Sequence, residues 1–230
     1  MLKALLVSFF ALSSSVLAGE KVDLALVLAV DCSGSVDGRE LRLQLDGIAS
    51  ALRDPEIIAA ATSGPYRRIA VNLMLWADPD EQRRTTGWIV IDSSQASQNF
   101  SDTVKGFNYL IGGGTGLGAA VAYGISLIRN SNFEASREVV DVSGDGRESW
   151  ELREPRFLLA DARALRGTTK VVVNGLAITQ DVPDLADYYS QNVVGGPGSF
   201  VITANTYESF AEAMRIKLLR EILPNVASIE

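Results

Sequence analysis

Three short segments of the chain combine carboxylates, hydroxyls and glycines in a pattern suited to binding a hard metal ion. Asp31, Ser33 and Ser35 alternate in one segment, Thr115 follows three consecutive glycines, and Asp145 lies between two glycines. Together these side chains offer two carboxylates and three hydroxyls. Because Mg²⁺ takes about six oxygen ligands at about 2.1 Å and usually keeps some waters, this set is sufficient. The sequence therefore predicts a divalent-cation site, with Mg²⁺ as the favoured ion and Mn²⁺ or Ca²⁺ as alternatives.

The composition of the 230-residue chain removes several other classes of function. It contains no histidine and one cysteine, which excludes Ser/His/Asp and Cys/His triads, histidine-ligated zinc or haem, and cysteine-ligated clusters. With 28 acidic and 21 basic residues the formal charge is −7, and no Lys/Arg cluster is present. Because affinity for phosphate backbones comes mainly from clustered basic residues, we expect no nucleic-acid partner.

The first 18 residues have the layout of a secretory signal. Lys3 forms a short basic region, residues 4–12 are apolar, and the small side chains of Val16 and Ala18 fit cleavage after Ala18. The apolar run is short for a bilayer, which needs about 20 residues, although a retained N-terminal anchor is the alternative. We predict a signal peptide at 1–18 and a single domain at 19–230, periplasmic or secreted and not membrane-spanning after cleavage.

Apolar runs typical of buried strands alternate with stretches of helical periodicity along the rest of the chain. Strands are predicted at 22–30, 69–77, 87–91, 138–143, 170–178 and 200–203, and helices at 41–52, 117–128, 156–165, 183–189 and from about 205. This alternation predicts an α/β fold with a Rossmann-like, mainly parallel sheet of about six strands and helices on both faces. The short polar connection at 78–84 permits a hairpin, so one antiparallel edge strand is expected.

The last predicted helix carries both a start signal and an apolar face. Asn205 and Glu208 stand at the spacing of a capping box, and Phe210, Met214 and Leu218 recur on one side. We therefore expect this helix to begin near Asn205 and to bury those three apolar side chains.

Each polar segment also has a simpler structural interpretation. Ser35 and Thr115 stand where helices begin and could act as N-caps. Asp145 could belong to a turn, and Asp31 could accept bonds from nearby backbone amides. Ligands of such a sheet bind beyond the carboxyl ends of its strands, and all three segments follow the order and spacing of one such site. Their coincidence favours a joint site, with Cys32 among them as a small buried side chain.

This arrangement resembles the metal-ion-dependent adhesion site (MIDAS) of the von Willebrand factor type A (VWA) domain, and the similarity covers essentially the whole chain after residue 18. The resemblance implies that the hydroxyls of Ser33, Ser35 and Thr115 contact the metal. It also implies that Asp31 and Asp145 act directly or through water. A partner protein then supplies an Asp or Glu carboxylate to the remaining coordination position.

The chain departs from the family's pattern at one position. The family often has Thr or Ser directly before the last Asp, whereas this chain has Gly144, with Ser143 one step earlier. The departure concerns the support of Asp145 rather than Asp145 itself. The glycines at 112–114 and the segment 143–146 resemble an uncharacterised bacterial secreted branch of the VWA family, and membership there implies the fold without a known partner.

The residues and the resemblance together predict a non-enzymatic, metal-dependent protein-binding module of the cell envelope. Two alternatives stay open. A metal-dependent hydrolase would need a general base, for which Asp37, Asp78 or Glu148 could be recruited. A metal-free structural scaffold would use the polar segments only as caps and turns.

Overall fold

A mainly parallel sheet forms the centre of the protein, for which a computed structural model describes residues 19–78, 84–107, 109, 112–149 and 158–223. The predicted signal at 1–18 lies outside these residues. The strands are β1 (Glu20–Asp31), β2 (Ile69–Trp76), β3 (Arg84–Thr85), β4 (Ile89–Ile91), β5 (Phe133–Gly144), β6 (Val172–Ile178) and β7 (Val201–Ala204). Their order is β3-β2-β1-β5-β6-β7, and β4 also pairs with β2. The α/β fold with a mainly parallel sheet is therefore confirmed.

The antiparallel edge is made of two short strands rather than the one predicted. β4 pairs with the beginning of β2, and β3 pairs with its end, both in antiparallel orientation. Gly87 separates them in a left-handed conformation with φ of +74°, which glycine adopts without steric cost. This division gives the described residues seven strands.

Helices cover both faces of the sheet. They are α1 (Gly38–Ala51), α2 (Pro55–Ala61), α3 (Ser94–Gly106), α4 (Leu117–Arg129), α5 (Leu159–Gly167), α6 (Leu185–Asn192) and α7 (Phe210–Ile222). One core lies between the sheet and α1, α2, α3 and α7, and the other between the sheet and α4, α5 and α6. Along β1, alternate residues enter the two cores, as in Leu26 and Val27, because successive strand side chains point to opposite faces. Within the described residues, no helix is long and apolar enough to span a bilayer.

The start of the last helix differs from the prediction. The capping box is formed by Thr206 and Ser209, each of which accepts a backbone N–H bond from the other, and a short 3₁₀ turn at Tyr207–Ser209 precedes α7. Glu208 instead pairs with Arg39 at 2.5 Å. The predicted apolar face is confirmed, since Phe210, Met214 and Leu218 are buried.

Candidate metal centre

The parallel pairing of β1 with β5 brings two aspartates to the same edge of the sheet. Val30 pairs with Ser143, so Asp31 at the end of β1 and Asp145 directly after β5 lie at the carboxyl ends of neighbouring strands. Both aspartates are buried, at 0% and 4% exposure. The backbone N–H of Ser33 donates to Asp31 Oδ1 at 2.8 Å, which fixes the first turn after β1.

The three predicted hydroxyls lie in one row beside these carboxylates. Ser35 Oγ donates to Asp145 Oδ1 at 2.8 Å and lies 3.3 Å from Ser33 Oγ. Thr115 Oγ1 is 3.5 Å from the same Ser33 oxygen. The structure thus brings together all five residues singled out by the sequence.

The glycines before Thr115 allow its loop to approach the loop after β1. Gly34 N–H donates to the carbonyl of Gly113 at 2.9 Å, and Gly112 N–H donates to that of Cys32 at 3.0 Å. Gly112 and Gly113 both have positive φ, at +72° and +89°, which other residues rarely adopt. A Cβ atom at Gly34 would lie only 3.0 Å from the Gly113 carbonyl oxygen. Cys32 is buried as expected, with its thiol directed at the Trp76 carbonyl.

Neither Ser35 nor Thr115 caps a helix. Asp37 is the N-cap of α1 and forms a capping box with Glu40. Gly116 is the N-cap of α4. The simpler interpretation of these two hydroxyls is therefore wrong, and both are directed toward the other site residues instead.

One carboxylate oxygen of this group is left without a partner. Asp31 Oδ2 is buried and forms no hydrogen bond. Burial raises the pKa of Asp31 to about 7, and the negative charge of Asp145 contributes further. A bound cation would satisfy this oxygen and lower the pKa of Asp31, because a nearby positive charge favours the ionised carboxylate.

The donor set fits a hard ion better than a soft one. Among the described residues, no group of three or more His, Cys, Asp and Glu side chains could hold a metal. Any ion bound here would therefore depend on two carboxylates and three hydroxyls, all of them oxygen donors suited to Mg²⁺ or a similar cation.

This chain has Gly144 where the family often has Thr or Ser. The space that a side chain would take there is filled by Tyr189. A Cβ atom at Gly144 would lie 2.6 Å from Tyr189 Oη and 2.7 Å from Asp31 Oδ2. Tyr189 Oη and Trp76 Nε1 are also buried without hydrogen-bond partners. Ser143 does not substitute, because its hydroxyl contacts the Ala29 carbonyl at 3.4 Å. No sequence pattern indicated a role for Tyr189, which reaches the site from α6.

Tyr207 is a further site residue that the sequence did not reveal. Its hydroxyl donates to Asp145 Oδ2 at 2.8 Å, and its side chain is buried. Ser35 and Tyr207 therefore hold the two oxygens of Asp145 from opposite ends of the chain. This bond also ties the turn before α7 to the site.

Removing the Tyr207 hydroxyl should destabilise the protein measurably. Because hydrogen bonds to charged groups are worth about 1.5–3 kcal/mol, we expect Tyr207→Phe to lower the free energy of unfolding by about that amount at neutral pH. Urea denaturation of the metal-free protein measures the change. Tyr66→Phe, at a side chain 39% exposed, should leave stability unchanged, and equal stabilities of the two variants would contradict the assigned bond.

The three carboxylates considered as general bases of a hydrolase accept different hydrogen bonds. Asp37 is occupied by the α1 capping box. Glu148 accepts bonds from the N–H groups of Gly118 and Leu159, so both of its oxygens hold helix starts. Asp78 accepts a long bond of 3.4 Å from Gly114 N–H. All three carboxylates thus accept hydrogen bonds from backbone N–H groups.

The fold and the arrangement of the loops define the class of protein: this is a VWA fold. The chain belongs to the family DUF1194, described as a protein of unknown function, whose model matches residues 21–226. A comparison with curated proteins gave no match.

Solved structures with the same fold include pilus and adhesive proteins. The pilus adhesin SpaC from Lactobacillus rhamnosus GG is 16% identical with a TM-score of 0.60, over 87% of this chain and 30% of SpaC. The vWF domain of the type V pili tip protein Mfa5 from Porphyromonas gingivalis is 10% identical with a TM-score of 0.54, over 86% and 96% of the two chains.

A third similar structure contains a metal. Proximal thread matrix protein 1 from the mussel byssus, with a zinc-occupied MIDAS motif, is 11% identical with a TM-score of 0.54, over 88% of this chain and 49% of that protein. This chain therefore spans about half of the byssus protein and less than a third of SpaC. The likenesses establish the fold that they share.

Proposed function

We propose that this protein is a metal-ion-dependent binding module acting outside the cytoplasm. Asp31, Ser33, Ser35, Thr115 and Asp145 hold a divalent cation, with Mg²⁺ favoured, and a partner protein completes the coordination with an Asp or Glu side chain. The observation that carries the proposal is the buried, unpartnered Asp31 Oδ2 beside a row of three hydroxyls. The row serves as ligands without adding negative charge, so an ion there still attracts an anionic group.

The comparisons support an adhesion-type role and an extracellular or surface location. SpaC is a pilus adhesin and Mfa5 a pilus tip protein. The byssus protein was solved with zinc in its MIDAS motif, which supports a divalent ion in the corresponding loops here. The backbone N–H bonds that Asp37, Asp78 and Glu148 accept favour binding over hydrolysis, because a general base needs a free carboxylate within reach of the substrate.

Calorimetry of the metal-stripped protein tests the metal-binding part of this proposal. We expect uptake of one Mg²⁺ or Mn²⁺ per chain and a rise in thermal stability, since a ligand that binds only the folded state stabilises it. Asp31→Asn should prevent this uptake. Asp46→Asn is the matched control for that change, because Asp46 is an exposed α1 residue away from the site. Absence of uptake of Mg²⁺, Mn²⁺ and Ca²⁺ at millimolar concentration would refute the proposed site.

Affinity capture from the cell envelope of the source organism tests the partner part. Bound proteins should be released by chelator and recovered when Mg²⁺ is restored. Their retention should fall when an Asp or Glu of the partner is replaced by its amide. Turnover of a phosphoester or ester with added Mg²⁺ would instead favour the hydrolase.

A further inference from the structure

A cavity lies at the end of the sheet opposite the candidate metal centre, where β5 and β6 begin. Its volume is about 460 Å³, and it is formed by the first halves of β5 and β6, the segment before β7, and the end of α7. Val139, Val172, Phe200 and Leu223 provide apolar lining. Small-molecule pockets in proteins typically measure about 300–1,000 Å³, so the cavity is large enough for a compact organic ligand.

Three basic side chains line this cavity in a chain whose overall charge is −7. Arg220 places its guanidinium 3.9 Å from the centre of the Phe200 ring. Arg137 donates to the Ile222 carbonyl at 3.3 Å, at the end of α7. Lys170 is the third and is exposed. Within the described part of the chain, neither Lys170 nor Arg220 forms an ion pair with a carboxylate.

Two acidic side chains line the same cavity, one fewer than the basic ones. Glu221 is buried, and its Oε1 accepts from Lys217 at 2.6 Å and from Asn174 at 2.9 Å, whereas its Oε2 has no partner. Glu138 is the other acidic side chain of the lining. The cavity therefore combines an excess of positive charge with an aromatic and aliphatic wall.

We infer that this cavity binds an organic carboxylate with an aromatic or aliphatic body. The carboxylate faces Lys170 and Arg220, where charge-assisted hydrogen bonds are available. The body packs against Phe200 and the aliphatic side chains, where burial of apolar surface is favourable. This site is separate from the metal centre and does not depend on the function proposed for it.

Binding of an anionic fluorescent probe tests the inference. The probe 1-anilinonaphthalene-8-sulfonate has an aromatic body and one negative charge, so its fluorescence should rise saturably with the folded protein. Octanoate and phenylacetate should displace it. Octanol, which lacks the charge, and inorganic phosphate, which lacks the body, should each compete at least about tenfold less well. Chelator should have no effect on the binding.

Variants of the basic residues localise the binding. Arg220→Gln and Lys170→Gln should each weaken octanoate binding by about tenfold, whereas Lys105→Gln, at an exposed position in α3, should leave it unchanged. Circular dichroism confirms that the variants fold. The inference fails if the probe does not bind saturably, if octanol competes as well as octanoate, or if the Arg220 and Lys105 variants bind equally.

Discussion

Replacing Asp31 with asparagine should abolish divalent-ion uptake and, at the same time, stabilise the metal-free protein. Asparagine keeps an oxygen to accept the Ser33 N–H bond and removes only the charge. Loss of a group that merely supports a metal ligand costs about 10–100-fold in affinity, so loss of a carboxylate ligand should cost at least about 100-fold. Calorimetry with Mg²⁺ and Mn²⁺ measures this part.

The stabilisation follows from the pKa of Asp31, which burial and the nearby Asp145 raise from 3.8 to about 7. The folded state binds this proton more tightly than the unfolded chain. The contribution of Asp31 to stability is therefore greatest below about pH 4 and falls as the pH rises to about 7. The difference between these two pKa values lowers the free energy of unfolding of the native protein by about 4 kcal/mol above pH 7, relative to low pH.

Asp31→Asn should remove this pH dependence in chelator-treated protein. Urea denaturation at pH 5 and pH 8 should give the variant a higher free energy of unfolding than the native protein mainly at pH 8. Asp46→Asn should show neither effect. A variant that still takes up Mg²⁺ with native affinity would exclude Asp31 from the metal site, and one destabilised at pH 8 would contradict the assigned electrostatics.

Replacing Lys217 with methionine should destabilise the fold strongly. Lys217 is fully buried in α7, and its Nζ lies 2.6 Å from both Asp141 Oδ1 in β5 and Glu221 Oε1 in α7. The change leaves two buried carboxyl groups without their cation. Breaking a buried pair by removing one partner costs about 3–5 kcal/mol. Equilibrium urea denaturation at pH 8 measures the loss.

The pH dependence and a rescue variant separate this effect from lost packing. Burial, with the charge of Glu221, raises the pKa of Asp141 to about 7, so the destabilisation should be larger at pH 8 than at pH 5. Adding Asp141→Asn and Glu221→Gln to Lys217→Met should recover most of the stability, because no buried charge then remains unpaired. Lys105→Met, at an exposed lysine, should be neutral. A pH-independent loss without rescue would identify packing as the cause.

Strands and helices were predictable where apolar residues form a continuous run or recur with a helical period. β1 is buried on both faces, so its continuous apolar run identified it. α2 and α3 were not predicted. α2 is only seven residues long, and α3 is rich in Ser, Gln and Asn, with Phe100 and Val104 as its large buried apolar residues. β5 begins at Phe133, before the predicted start, because its partly exposed first half pairs with the beginning of β1.

The sequence by itself determined the fold class and the five residues of the candidate metal centre, since their types and order are local properties of the chain. Only the tertiary structure decided which distant side chains contact the candidate metal centre and which charged side chains are buried together. Tyr189 and Tyr207 reach the centre from α6 and the turn before α7. Lys217 and Glu221, four residues apart, have the spacing of a surface ion pair, yet α7 buries both against Asp141. Such contacts depend on how helices pack on the sheet, which no local spacing specifies.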